Sequence, residues 1–398
     1  MRSLFPVIFA IILIFIFGVV QLLFLRFLNR EWWQKRWVRM AAWTLPASGA
    51  VSVVLWGYGE YSRVDWLAYP GAIIAVLAFI LEVALTLSLP VSGIIHLVNR
   101  VFDWLGKRGL RGKSAVVDHR RRLFLKTSAA IIPLATLAAG GVGVASAMAG
   151  ARVYRRPIPI DDLPEDLDGL KILHITDIHL RHYVGLDDLT DVLEAARPHE
   201  PDIVLVTGDV ADDLRVLPDA LRLIGELNCP LGGYGCLGNH EYFRGLSDVI
   251  RAFGRSSVQL FVNDGIRLKR GDTPVFIGGI DDPMLMRVRD YGLFDEDLDE
   301  TLDGTNQDDF IIMMSHRPNA FDYAADRSVA LTLSGHTHGG QVGLDGRSLF
   351  ESVWPERYLW GHYRIKQSHL YTSSGVGHWF PFRLGCPAEA PVLELRKA

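Results

Sequence analysis

Seven side chains in the second half of this 398-residue chain have the types and spacing of a metal site. Asp177 and His179 stand two apart, Asp209 follows Gly208, Asn239 follows Gly238, His316 closes an apolar run, and His336 and His338 repeat the two-residue spacing. Carboxylate and imidazole ligands together suit Mn, Fe or Zn better than Ca or Mg. Six of the seven can each serve one ion, and Asp209, with two oxygens, is the natural bridge. Two divalent transition-metal ions held about 3.5–4 Å apart clasp the attacking and leaving oxygens of a phosphoryl group and generate hydroxide near neutral pH. The expected chemistry is hydrolysis of a phosphoester: a phosphodiester, a pyrophosphate or a phosphomonoester.

These groups need elements to position them, and each follows a short apolar run. Leu170–Thr176 ends at Asp177, Ile203–Thr207 at Gly208-Asp209, Gly233–Leu237 at Gly238-Asn239, Phe310–Ser315 at His316, and Val329–Ser334 at Gly335-His336. Five strands that each deliver a polar group at the C-terminal end, with helix-like stretches such as Leu186–Ala196 and Asp219–Leu227 between them, read as an α/β fold with its site at the strand ends. Thr273–Ile280, Leu370–Ser374 and Pro391–Arg396 read as further strands.

At this point the sequence resembles the calcineurin-like metallophosphoesterases. Their pattern is D-x-H, then G-D, G-N-H-[E/D], H and G-H-x-H. Here these are Asp177-Ile178-His179, Gly208-Asp209, Gly238-Asn239-His240-Glu241, His316 and Gly335-His336-Thr337-His338, in order. One such block is a weak signal; five in register are strong. The resemblance implies a four-layer α/β/β/α sandwich of two mixed sheets. It implies that Asp177, His179, Asp209 and His338 bind one ion and Asp209, Asn239, His316 and His336 the other. It makes His240 the catalytic general acid rather than a ligand. Gly335 to Gln341, Gly375-Val376-Gly377, Arg383 and the apolar first half look most like the transmembrane branch of the family, which includes bacterial membrane-associated phosphodiesterases.

A lone histidine is more often structural than a ligand. His174 alternates within a strand, and His182, His199, His362, His369 and His378 read as surface or loop residues, although His182 and His378 could line the site. Asp212, three residues after Asp209, has the position to orient that loop.

The apolar excess sits in residues 1–150, within an overall hydrophobic fraction of 49%. A spanning helix needs about 20 apolar residues. Four segments qualify: about Leu4 to Leu25, about Val38 to Tyr58, Trp66 to about Val98 with a kink or amphipathic tail expected at Pro90, and Ala129 to Ala149. Arg26, Arg30, Lys35, Arg36 and Arg39 lie between the first two, and Arg100 to Lys126 carries nine basic residues before the fourth. Basic loops stay in the cytoplasm. Four spans then leave the catalytic part outside a bacterial inner membrane. Arg121-Arg122-Leu123-Phe124-Leu125-Lys126 resembles a twin-arginine export signal, although such signals are normally N-terminal. Residues 145–149 offer small-residue cleavage sites. The organisation expected is an anchor over 1–150, a linker or irregular edge segment over 151–169, and the catalytic domain over 170–398.

The net charge of −4 gives no sign of a nucleic-acid partner. Cys229, Cys236 and Cys386 form no zinc spacing and read as buried thiols. A non-catalytic, metal-stabilised binding module would have no reason to keep His240, and a transporter would carry more intramembrane charge than Glu82. An outward-facing site suits a lipid-linked or cell-envelope phosphoester. The family's UDP-2,3-diacylglucosamine pyrophosphohydrolases of lipid A synthesis would require a cytoplasmic site instead. Oligomeric state is not legible.

Overall fold

The computed structural model describes residues 5–62, 64–107, 135–136, 138–181, 183–283, 292–354, 357–378 and 380–398. The chain forms two compact units, Met1–Ala145 with Phe380–Phe382, and Ser146–Trp379 with Arg383–Ala398.

The first unit is helical: α1 (Phe5–Phe27), α2 (Arg30–Trp33), α3 (Arg36–Ser62), α4 (Asp65–Lys107) and α5 (Ala138–Ala147). Among the described residues three helical segments are long and apolar enough to cross a membrane, Ile8–Phe27, Arg36–Gly59 and Trp66–Val98. Large apolar side chains point outward from all three, as helices in lipid require. Polar contacts tie α1 and the α1–α2 turn to α4: Gln21 Nε2 donates to the Glu82 carbonyl at 2.9 Å, and Asn29 Nδ2 to the Leu89 carbonyl at 3.1 Å. α4 continues as one helix through Pro70 and Pro90. The fourth expected segment is helical over the ten residues of α5; its start, and the Arg121-Arg122 motif, lie outside the described residues.

The second unit runs in chain order β1 (Arg152–Ile160), β2 (Lys171–Ile175), α6 (Leu186–Ala196), β3 (Ile203–Thr207), α7 (Leu217–Gly225), β4 (Gly233–Cys236), α8 (Asn239–Arg244), α9 (Leu246–Phe253), β5 (Val258–Phe261), β6 (Asp264–Arg270), β7 (Thr273–Gly279), α10 (Leu293–Leu302), β8 (Phe310–Met314), α11 (Phe321–Asp326), β9 (Leu331–Ser334), β10 (Gly343–Leu344), β11 (Arg347–Ser348), β12 (Gly361–Ile365), β13 (Ser368–Thr372) and β14 (Glu389–Lys397). Two six-stranded sheets form, ordered β1-β14-β2-β3-β4-β5 and β12-β13-β9-β8-β7-β6. Each is mixed: β2 to β5 run parallel, as do β13, β9, β8 and β7, while β14 and β2, β12 and β13, and β6 and β7 pair antiparallel.

Strand alternation sets the layers. On β2, Ile172 faces the other sheet, with Leu205, Ile277, Ile312, Leu333 and Leu393. Leu173 and Ile175 face α6, α7 and α9 through Leu189, Leu193, Leu221 and Val249. α10 and α11 cover the second sheet through Phe294, Leu298 and Ala324. The result is the four-layer α/β/β/α sandwich. Within residues 151–169, Arg152–Ile160 form the regular edge strand β1, parallel to β14 along its full length. Only Ile158 and Ile160 of that strand are buried.

Candidate metal centre

All seven candidate ligands leave strands at their C-terminal ends. The first sheet supplies Asp177 and His179 after β2, Asp209 after β3 and Asn239 after β4; the second supplies His316 after β8 and His336 and His338 after β9. Five of them turn inward through left-handed backbone, with φ of 50° at Asp177, 51° at His179, 54° at Asp209, 69° at His336 and 48° at His338. Such conformations cost about 1–2 kcal/mol each for a residue with a Cβ, and strained backbone concentrates where geometry serves a site.

The side-chain atoms gather in two overlapping groups. In one, His179 Nε2 lies 3.2 Å from His338 Nε2 and 3.6 Å from Asp209 Oδ2, and Asp177 Oδ1 is 3.5 Å from His338 Nε2. In the other, His316 Nε2 lies 3.3 Å from Asp209 Oδ2, 3.1 Å from Asn239 Oδ1 and 3.2 Å from His336 Nδ1. Asp209 Oδ2 is common to both. Its Oδ1 accepts from the His240 backbone N–H at 2.8 Å, which leaves Oδ2 as the oxygen facing both groups. Asp177 Oδ2 accepts from Thr176 Oγ1 and the His336 N–H, whereas Oδ1 is buried with no hydrogen-bond partner. An orphaned carboxylate oxygen facing two imidazoles fits a cation between them. Asp177, His179 and His338, and likewise Asp177, Asp209 and His316, are close enough to share an ion.

Neighbouring groups fix these rings. His316 Nδ1 donates to the Thr207 carbonyl at 2.8 Å, turning Nε2 to the cluster. Asp212 Oδ1 accepts from Arg244 Nε at 2.8 Å and pairs with His240 Nδ1 at 2.6 Å, while its Oδ2 lies 3.6 Å from His179 Nδ1. Asp212 therefore holds the His240 ring, and its second oxygen faces the His179 ring beyond hydrogen-bond distance. His240 Nε2 is left 4.0 Å from Asp209 Oδ2, at the edge of the group, with its side chain one-fifth exposed. Gly208, at φ 79°, meets the backbone of Gly238 and the His316 ring. A glycine here lets the loop after β3 approach the loop after β4 closely. Gly377 packs in the same way on the Ile178 carbonyl. His378, which the sequence left open, is buried with both ring nitrogens unpartnered and stacks on Tyr183. His182 lies outside the described residues.

Glu241 and Arg383, present in the sequence motifs without a role given to them, and Glu389, not singled out there, make buried hydrogen bonds around the site. Glu241 is buried; its Oε2 accepts from the Gly238 and Asp209 N–H groups at 2.8 and 2.9 Å, and its Oε1 from the Val210 N–H at 2.9 Å. The signal was present: an acid three residues after Gly238 is a capping-box spacing. Arg383, fully buried, donates to the Ser374 and Gly377 carbonyls at 2.8 and 2.7 Å behind His338. Glu389 accepts from Tyr154, Tyr371, Trp360 and the Ser374 N–H.

The family model described as calcineurin-like phosphoesterase matches residues 170–340. An uncharacterized metallophosphoesterase of Aquifex aeolicus is 30% identical over 256 residues, 62% of this chain and 92% of that protein. The chain belongs to the calcineurin-like metallophosphoesterases. Transmembrane proteins with a metallophosphoesterase domain from Danio rerio and Bos taurus are 29% and 30% identical. The matches cover 74% and 71% of this chain and 68% and 65% of those proteins. The family uses divalent metals, and the residues gathered here fit them. The electrostatics show where charge is needed. Burial alone would depress His316, but Asp209 and Asp177 outweigh it and hold its pKa up at about 10. Burial, then Arg317 and His316, holds His336 well below the usual range. Burial, then His179 and Arg383, does the same for His338.

Two outcomes follow from this metallophosphoesterase site. Glu241→Gln puts an amide N–H against a backbone N–H, stranding a buried donor, and is expected to cost about 1–3 kcal/mol of stability with weaker metal retention. Denaturant unfolding and metal analysis check it; unchanged values would remove Glu241 from its bracing role. Second, with His316 as a ligand, a metal would have to displace its proton below pH of about 10. Binding should therefore release about one proton and strengthen as pH rises toward that value. Calorimetry in two buffers of different ionisation enthalpy measures it, and no proton release would contradict the assignment.

Proposed function

We propose that the chain hydrolyses a phosphoester with two divalent transition metals. Asp177, His179, Asp209 and His338 would hold one and Asp209, Asn239, His316 and His336 the other, with His240 as the proton donor. The observation that carries this reading is the pair of overlapping donor groups sharing Asp209 Oδ2. Bound there, such a pair supplies Lewis acidity to a phosphoryl group and activates water. The chain's own residues then divide the remaining work. Asp212 holds the Nδ1 side of His240, leaving Nε2 directed to the site, 4.0 Å from the shared oxygen. Burial alone would lower the His240 pKa, but Asp209 and Asp212 raise it to about 9, so the ring carries a proton near neutral pH. Nε2–H can pass that proton to the leaving-group oxygen, where a poor leaving group needs it.

General acid help is worth about 10²–10⁴-fold. His240→Asn is expected to keep the metals and lose turnover by roughly that factor on alkyl esters, with a smaller loss on nitrophenyl esters. Equal losses on both would mean that His240 acts through charge or position, and metal loss would make it a ligand.

The basic loops favour a catalytic unit outside the cytoplasm, and hence a lipid-linked or cell-envelope phosphoester as substrate. A reporter phosphatase fused after residue 150 should be active outside and one at residue 110 inactive. The reverse would put the site in the cytoplasm, where a nucleotide-lipid pyrophosphate becomes the substrate to test.

A further inference from the structure

Large apolar side chains that face solvent are normally scattered. In the catalytic unit Met148, Phe243, Ile250 and Val262 are spread in this way. Four others fall between positions 344 and 354: Leu344, Leu349, Val353 and Trp354, exposed by 65, 63, 75 and 45%. The segment begins six residues after His338, as the β10–β11 hairpin and the turn that follows it. The Val353 and Trp354 N–H groups both donate to the Phe350 carbonyl at 2.9 Å, and the rings of Phe350 and Trp354 lie 6.0 Å apart. Phe350 in turn backs Gly340, where a Cβ would stand 3.0 Å from its ring. The apolar strip is thus fixed to the turn that carries His336 and His338.

Of its charged residues, Asp345 is exposed in the hairpin turn, whereas Glu351 and Arg347 are engaged elsewhere. Glu351 Oε1 accepts from Tyr363 Oη at 2.8 Å and from the Leu359 N–H at 3.2 Å. The Arg347 guanidinium lies 4.0 Å over the Tyr363 ring. What the strip offers to a partner is apolar side chain with a tryptophan among it, a composition suited to the boundary between headgroups and acyl chains. The same chain carries three helices long and apolar enough to cross a bilayer, which would hold the catalytic unit beside lipid.

We propose that residues 344–354 dock the catalytic unit onto the lipid bilayer and bring the His336–His338 turn to the headgroup layer. Resting on the phosphoester-hydrolysing reading above, this makes the substrate class a phosphoester carried by a membrane lipid. Because the strip is apolar, docking needs no anionic lipid and survives high salt.

The test uses the full chain in nanodiscs of neutral phosphatidylcholine, one copy per disc, with an environment-sensitive fluorophore on Val353→Cys in a Cys229→Ser background. A control carries the label at Glu165→Cys, which is 88% exposed before the N-terminal end of β2, away from the metal centre. Lipids brominated on the acyl chain should quench the label at 353 and not at 165, at low and high salt. Leu349→Asp with Val353→Asp should abolish that proximity. The double variant should lower turnover of a vesicle-borne phosphodiester by about tenfold or more, the scale of losing one buried apolar side chain. Hydrolysis of bis(p-nitrophenyl) phosphate should be unchanged. No quenching at 353, or equal quenching at both positions, overturns the proposal. So does quenching that appears only when discs hold two copies, which would make the strip a contact between chains. If the unmodified chain hydrolyses neither ester while position 353 is still quenched, the docking stands and the phosphoesterase reading fails.

Discussion

One oxygen fixes the geometry of this centre. Asp209 Oδ2 is the point at which two groups of donors from two different sheets meet. It is held there because Oδ1 is tied to the His240 N–H and because the Asp209 N–H is tied to Glu241. Both tethers come from the α8 turn, so β3 and β4 must be in register before the oxygen is in place. The sandwich therefore serves the site directly: the inter-sheet core brings the strand ends of β8 and β9 opposite those of β2 and β3, and each group draws donors from both sheets.

The strained backbone has the same origin. A strand presents alternate side chains to opposite faces. A pair two residues apart, such as Asp177 and His179, would share a face but stand about 7 Å apart along a strand, and it converges on one point only if the chain turns sharply. The left-handed φ values at Asp177, His179, Asp209, His336 and His338 are those turns. They are supported by hydrogen bonds between neighbouring loops, Asp177 N–H to the Gly208 carbonyl and His179 N–H to the Asp209 carbonyl.

This explains which parts were legible in the sequence. The ligand candidates, and the five strands that carry them, show up because each strand end and its polar group are adjacent in the chain. Asp212, three residues from Asp209, was visible for the same reason. Arg383 and Glu389 act on residues brought to them by folding, through the Ser374 carbonyl and N–H, and no local pattern marks that. β1 was hidden because its Arg- and Pro-rich sequence buries only Ile158 and Ile160, so it lacks the alternation of a two-sided strand and reads as edge or linker. The first apolar segments were plain from composition, whereas the fourth is described as helix only over Ala138–Ala147.

The charges divide the histidines by neighbour. His316 and His240 face Asp209 and are driven toward the protonated form. His336 and His338 are driven toward the neutral form by burial first, with Arg317 adding to it at His336 and His179 and Arg383 at His338. Arg317 is itself paired with Asp282 through a 2.9 Å contact, and Arg383 is enclosed by backbone carbonyls, so neither is free to move in and neutralise the carboxylates. The positive charge beside Asp177 and Asp209 must then come from the protons on His316 and His240 or from ions among the same atoms. An ion in the group around His316 would stand in for that proton, and one in the group around His179 and His338 would satisfy the orphaned Asp177 Oδ1. The fold is in this sense built around a charge that its own side chains only partly supply.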